Sequence, residues 1–316
     1  MKLVTGVNGF IGAAVFAALK KKQVAVRGTV RSFATKGSIA VGDIGPDTDW
    51  LSALNGVDTV IHTAARVHIM SETVDDPLAA FRKVNVEGAR RLAEQAARHG
   101  VSRLIFISSI KVNGETAGEG DDSEPYTSSS DVCPVDTYAQ SKWEAEQVLH
   151  EVAQRTGLEV VIIRPVLVYG PGVKANFLSM MRWLDRGVPL PFGAIHNKRS
   201  LVALDNLVDL IVTCIDHPAA INQTFLVSDG EDLSTTELLL RMGEALGKPA
   251  RLLPVPESLL KAGAMLLGKR DIAQRLLGSL QVDISKTKKI LDWEPPVSVD
   301  EALKKTAEDF LLRKSC

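Results

Sequence analysis

Cysteine is scarce in this chain. Its three cysteines, Cys133, Cys214 and Cys316, lie far apart and form no Cys-x-x-Cys pair. That excludes a disulfide framework and a four-cysteine zinc site, and makes the reducing cytoplasm the expected compartment. The six histidines show no His-Glu-x-x-His spacing, so no metal centre is expected. An excess of either charge is absent too. Lys plus Arg number 37 against 38 Asp plus Glu, a formal net charge of −1 over 316 residues. Without a basic excess there is no global electrostatic case for nucleic acid. The aromatics, 5% of the chain, are scattered and build no base-stacking platform. No apolar run approaches the roughly 20 residues that span a bilayer. Leu207–Ile215 comes nearest, and it is short and carries Asp209. Met1-Lys2 and the apolar stretch to Leu19 have the outline of a signal segment. Asn8 and three glycines interrupt it, and Lys20-Lys21-Lys22 stand where a small-residue cleavage site belongs. No internal repeat is found. What remains is an ordinary globular composition, long enough for a large core and one or two domains.

Short apolar runs alternate with helical patterns through the first half. The runs Lys2–Thr5, Val24–Val30, Ser38–Val41, Thr59–Thr63, Arg103–Ser108 and Glu159–Ile163 are apolar on both faces, the habit of buried parallel strands. Between them, Asn85–His99 places Val86, Ala89, Ala93, Ala96 and Ala97 near one helical face. Arg90, Arg91, Glu94 and Arg98 fall largely opposite, and Gly100 is a stop. Thr137–Arg155 is a second helix, closed by Gly157. This alternation predicts an α/β fold with a Rossmann-type, doubly wound parallel sheet. After Pro165, Gly, Pro and helical segments dominate, with one strand-like run at Thr224–Ser228. The expected organisation is a dinucleotide-binding domain over 1–165, taking back about 200–228, and a smaller, mostly helical substrate domain over 166–316. The polar segment Gly114–Asp136 is a loop long enough to suggest a functional or mobile role.

Thr5-Gly6-Val7-Asn8-Gly9-Phe10-Ile11-Gly12 follows the first strand and opens the first helix. Glycines there permit a tight turn, close approach of backbone to a pyrophosphate and close helix–strand packing. The helix N-terminus then offers free N–H groups to the phosphates. In that strand–turn–helix context the turn points to a dinucleotide. Discrimination between dinucleotides sits at the end of the second strand, where an acidic residue accepts the ribose 2′-hydroxyl and an arginine suits a 2′-phosphate. The segment Val26-Arg27-Gly28-Thr29-Val30-Arg31-Ser32 has no acid, and Arg31, Ser32 and Lys36 are the available phosphate ligands. NADP(H) is therefore favoured, with NAD(H) as the alternative. Asp43-Ile44, after the third strand, is positioned to meet the adenine; the bland alternative is a turn-forming Asp.

Tyr138 and Lys142, four apart on the helix expected at Thr137–Arg155, share a face. An ammonium beside a phenol favours phenolate and lowers its pKa from about 10. Such a Tyr exchanges a proton with an alcohol or carbonyl oxygen while hydride moves to or from a nicotinamide. Ser108-Ser109, at the carboxyl end of the fifth strand, lies on the edge where open α/β sheets bind ligands.

Taken in order, TGVNGFIG, VIHTAA (Val60–Ala65), FISS (Phe106–Ser109), YAQSK (Tyr138–Lys142), RPVLVYGPG (Arg164–Gly172), RSLVALDNL (Arg199–Leu207) and VDISKTKKILDWEPP (Val282–Pro296) resemble the extended short-chain dehydrogenase/reductase family, in its nucleotide-sugar epimerase/dehydratase branch. The resemblance runs almost end to end. It implies that Gly6, Gly9 and Gly12, with Phe10 and Ile11 between them, bind the pyrophosphate, and that Asp43 and Ile44 lie against the adenine. Ala64 and Ala65 line the cofactor cleft, and Pro165 precedes backbone near the carboxamide. Ser109 and Tyr138 act on the sugar C4 oxygen, and Lys142 holds the nicotinamide ribose. Asn176 and Arg199 contact the nucleotide diphosphate sugar, and Asn85 matches a family position as much structural as chemical. The family also implies a homodimer formed through paired helices.

One departure is informative. Sugar 4,6-dehydratases of this family carry an acidic pair after the catalytic hydroxyl residue, because eliminating water needs an acid and a base. Here those positions are Ile110 and Lys111, which argues against that reaction and offers Lys111 as a substrate contact. SSIKVNG looks most like enzymes of surface-polysaccharide (O-antigen) sugar synthesis that reduce a UDP-4-keto-6-deoxy-N-acetylhexosamine. A 4-reductase is thus the leading expectation and a UDP-hexose 4-epimerase with retained NAD the alternative. A reductase of a non-sugar ketone and a non-catalytic cofactor-binding protein follow.

Overall fold

The computed structural model describes residues 1–67, 75–115, 124–266, 268, 274 and 276–315. The part of the loop at 116–123 lies outside the described residues. Strands β1 (Lys2–Thr5), β2 (Val26–Val30), β3 (Ser38–Ala40), β4 (Thr59–His62), β5 (Arg103–Ile107) and β6 (Glu159–Pro165) fall on the six expected runs. With β9 (Thr224–Val227) they form one seven-stranded sheet, ordered β3-β2-β1-β4-β5-β6-β9, in which every neighbouring pair is parallel. Alternation of side chains divides its core in two. Val4, Ile61, Ile105, Ile107, Val161 and Ile163 face helices α1 (Phe10–Lys21) and α7 (Leu204–Asp216). Leu3, Val60, Leu104, Phe106, Val160 and Ile162 face α4 (Gly88–Arg98) and α5 (Thr137–Thr156). Helices on both faces make this a Rossmann-type doubly wound α/β fold.

The chain order departs from expectation at two places. The helix expected at Asn85–His99 begins earlier, as α3 (Pro77–Phe81), where the Asp76 side chain accepts the Ala79 N–H at 3.0 Å. It then widens into a π-turn over Arg82–Glu87 before α4. Asn85 sits in that wide turn, buried, and its amide bridges the backbone of Arg66 to Ser141; π-turns are rare and occur frequently at functional sites. After Pro165, the expected helical part contains a second sheet as well. β7 (Leu167–Tyr169), β8 (Arg199–Ala203) and β10 (Asp232–Leu233) form it in the order β10-β8-β7. Strands of two to five residues are too short for a periodicity signal.

Around this small sheet, α6 (Ala175–Asp185), α8 (Thr235–Ala245) and the helix at Val299–Ser315 build a third core from Tyr169, Phe177, Met181, Leu201, Leu239 and Leu303. Helix α7 and strand β9 instead pack on the large sheet, α7 against α1 and β9 beside β6. No helix among the described residues is long and apolar enough to cross a membrane, and no cluster of His, Cys, Asp or Glu among them could hold a metal ion.

Candidate active site

Six parallel strands in the order 3-2-1-4-5-6 open a crevice beyond the carboxyl ends of β1 and β4, where the winding reverses. The glycine turn fills that point. Gly6 takes φ +69°, and Gly12 admits no side chain: a Cβ there would lie 2.4 Å from the Gly6 carbonyl oxygen and 2.5 Å from Thr63 Oγ1. Thr5 ties the turn to the neighbouring strand end. Its Oγ1 accepts from the N–H groups of Thr63 and Ala64, each at 3.1 Å, and bonds buried His62 Nδ1 at 2.8 Å. Helix α1 starts at Phe10 with no side chain capping its N-terminus and no acid in its first turn. Its N–H groups and dipole therefore face the crevice uncompensated, as a diphosphate requires. Phe10 and Ile11 are half-buried, and Ala64 stands across the turn from Gly6, with half-buried Ala65 after it. The residues present fit a dinucleotide.

At the adenine end, Arg31 and Asp43 are brought together: Arg31 Nε lies 3.0 Å from Asp43 Oδ1, both side chains more than four-fifths exposed. An exposed pair of this kind is worth about 0–1 kcal/mol and opens readily. Ile44 packs on α4, close enough that a Cβ at Gly88 would meet its Cγ2 at 2.5 Å.

The chemistry-bearing side chains converge on the ends of β5 and α5. Ser109 follows β5 and caps a 3₁₀ turn (Ile110–Val112), its Oγ accepting the Lys111 N–H at 3.3 Å. Asp136 caps α5 by accepting the Ala139 N–H at 2.7 Å, which places Tyr138 and Lys142 in the first two turns. Tyr138 meets Phe81 edge-on, ring centres 6.1 Å apart. Lys142 Nζ is buried, donates to the Ile107 carbonyl at 2.7 Å and sits 4.4 Å over the Phe106 ring. Desolvation pulls this ammonium down to about 7, against the pull of Glu146. Desolvation, with Lys142 as a second cause, holds His62 neutral, down to about 3. The expected lowering of the Tyr138 phenol is reversed in this state: burial first, and the Asp136 carboxylate second, push it up.

Sequence reasoning missed the layer beneath. Glu146, fully buried, accepts from Ser108 Oγ and from Arg164 Nε at 3.0 Å and Nη2 at 2.5 Å. Arg164 Nη1 donates to Asn113 Oδ1 at 3.0 Å, and the Asn113 amide donates to the Ser130 carbonyl at 3.0 Å. Two signals were available. Glu146 continues the Tyr138–Lys142 spacing by four, and Arg164 stands in an otherwise apolar strand.

The residues expected on the substrate side are placed as follows. Lys111 Nζ pairs with Glu115 and with Asp136 Oδ2 at 2.7 Å, so it ties the turn after Ser109 to the cap of α5. The expectation of a substrate-contacting Lys111 fits this poorly, because two carboxylates already hold its charge. Asn176 is exposed in the first turn of α6, just after the left-handed Ala175. Arg199 opens β8 and donates to the Gly278 carbonyl at 2.8 Å. Backbone pairing carries that region to the 3₁₀ turn after Ser109: Ser200 binds Leu280, Tyr126 binds Gln281 and Asp283, and Cys133 binds Val112. Pro165 ends β6 opposite Val227, and Asn85 serves as the bridge already described.

Residues 2–228 match the NAD dependent epimerase/dehydratase family. A UDP-glucose 4-epimerase from Vibrio cholerae is 50% identical over 314 residues, covering 98% of this chain and 95% of that protein. Among solved structures, a UDP-glucuronic acid 4-epimerase from Bacillus cereus in complex with NAD superposes with a TM-score of 0.77 at 19% identity. A UDP-glucose 4-epimerase from Thermotoga maritima with UDP-glucose gives 0.75 at 24%; each covers 99% of both chains. At such identities the two structures speak to the fold alone.

Proposed function

This chain belongs to the NAD dependent epimerase/dehydratase family, and from that premise we propose that it is a UDP-hexose 4-epimerase that keeps NAD(H) in the cleft at the carboxyl edge of the seven-stranded sheet. The observation that carries this reading is the likeness to the Vibrio cholerae UDP-glucose 4-epimerase, which extends over 98% of the chain. It reverses the order of the two expectations drawn from sequence, where the reductase stood first.

The glycine turn Gly6–Gly12, with Phe10 and Ile11, would hold the pyrophosphate. Asp43 and Ile44 would flank the adenine, and Ala64, Ala65 and Pro165 would line the cleft. When bound, the nicotinamide supplies the redox chemistry by accepting a hydride and returning it. The protein's own work is at the C4 oxygen. Tyr138 removes the hydroxyl proton and restores it, with Ser109 donating a hydrogen bond to the same oxygen as charge develops there. Because burial raises the phenol, Tyr138 rests protonated at neutral pH. Before Tyr138 can accept the sugar proton its own must pass to solvent, a loss that the positive charge of Lys142, one helical turn away on α5, favours. Asn176 and Arg199 would hold the diphosphate, Arg199 with a planar fork matched to phosphate oxygens. Ile110 and Lys111 leave no acid–base pair for dehydration.

One observation favours a second reading. The end of β2 carries Arg31 and Ser32 and no acid, as suits NADPH and a reductase of a UDP-4-keto-6-deoxy-N-acetylhexosamine. Denaturing the purified protein and identifying the nucleotide it releases separates the two. Close to one NAD(H) per chain is expected; an empty protein, or one releasing NADP(H), would favour the reductase.

A further inference from the structure

Among the buried charges, one pair has no part in the chemistry described above. Glu146 is wholly inaccessible and Arg164 nearly so, and their side chains meet through two hydrogen bonds, Nε–Oε1 at 3.0 Å and Nη2–Oε2 at 2.5 Å. Such a pair is a poor source of stability, because desolvating two ions offsets most of their attraction, and apolar residues would pack the same space. What it provides is orientation and charge. Glu146 lies one helical turn beyond Lys142 on α5 and accepts from Ser108, the residue before Ser109. Through Arg164 it reaches Asn113, which closes the 3₁₀ turn after Ser109 and grips the loop at Ser130.

We propose that Glu146 is a positioning residue: its buried carboxylate, held by Arg164 and Ser108, favours the Lys142 ammonium from one helical turn away and fixes the strand end that carries Ser109. Groups from every neighbouring element bear on Lys142. β4 contributes His62, which is neutral, and β5 contributes the Phe106 ring and the Ile107 carbonyl. Its own helix contributes Tyr138, a neutral phenol, and Glu146; β6 contributes Arg164, whose charge is matched by Glu146. Glu146 is thus the negative group that acts in favour of the ammonium.

The inference rests on the proposed roles of Tyr138 and Lys142, so its test reads Lys142 directly. In full-length protein labelled with ¹⁵N-lysine, the Lys142 Nζ signal, assigned by its loss in Lys142→Met, is followed from pH 5 to 10 by NMR. Glu146→Gln is expected to lower its titration midpoint by at least half a pH unit, and Glu146→Asp to hold it near the parent value. The Lys142-dependent limb of kcat/KM for UDP-glucose should move with the midpoint. An unchanged midpoint in Glu146→Gln, or activity lost equally at every pH with the limb in place, would overturn the proposal. Where Glu146→Gln fails to fold, Glu146→Gln/Arg164→Met removes both buried charges, and its midpoint must still fall below the parent's. A falling midpoint in a protein that does not convert UDP-glucose would uphold the role of Glu146 and sink the epimerase reading.

Discussion

Burying an ammonium leaves a thermodynamic trace that can be measured without any substrate. Lys142 is 2% exposed, and desolvation moves it from its ordinary 10.5 down to about 7. By linkage, that displacement corresponds to roughly 5 kcal/mol of destabilisation. The sign follows from proton counts. Between about pH 7 and 10.5 the unfolded chain binds a proton at this lysine that the folded chain does not, so stability rises with pH across that window. Below about pH 7 the penalty is present in full. Lys142→Met removes the charge at similar volume, and it also removes the hydrogen bond to the Ile107 carbonyl, at a cost of about 1–3 kcal/mol. The variant, stripped of nucleotide, is therefore expected to be more stable than the parent by about 2–4 kcal/mol at pH 6, with the advantage gone by pH 10. Paired thermal melts at pH 6, 8 and 10 read this as a gain in Tm of several degrees that closes as pH rises. A variant less stable than the parent by the same margin at all three pH values would refute the reasoning.

Three further outcomes are expected. Gly12→Ala places a Cβ 2.4 Å from the Gly6 carbonyl oxygen; it should cost about 1–3 kcal/mol or more in denaturant melts and reduce bound nucleotide at least tenfold, measured by absorbance of the released cofactor. Tyr138→Phe should lower kcat on UDP-sugars by about 10²-fold or more while stability in denaturant melts stays within about 1 kcal/mol, since the role assigned to the hydroxyl is proton transfer. Lys111→Met cuts the tie from the 3₁₀ turn to Asp136; steady-state kinetics should show kcat falling about tenfold with KM little changed, whereas a lysine touching substrate would raise KM instead.

Much of the nucleotide half was legible because its signals are local. The central strands β1, β4, β5 and β6 are buried on both faces and so read as largely apolar runs, and the glycine turn is a short-range requirement of backbone geometry. Tyr138, Lys142 and Ser109 were singled out by helix spacing and strand-end position, and the fold places them at the start of α5 and the end of β5. What escaped depends on tertiary contact. The wide turn at Arg82–Glu87 reflects the bonds of Asn85 to Arg66 and Ser141, residues distant in sequence. The small sheet consists of strands too short to carry a period. Lys111, expected from sequence as a substrate contact, has Asp136 and Glu115 placed beside it by the fold. The direction of the Tyr138 shift is set by its burial and by Asp136, which spacing to Lys142 alone does not fix.

The most direct measurement is incubation of the purified protein with UDP-glucose and no added cofactor, followed by separation of the UDP-sugars. Catalytic formation of UDP-galactose to a fixed ratio, reached also from the UDP-galactose side, is expected. Failure to interconvert them, together with stoichiometric oxidation of added NADPH on a UDP-4-keto-6-deoxy-N-acetylhexosamine, would contradict the account.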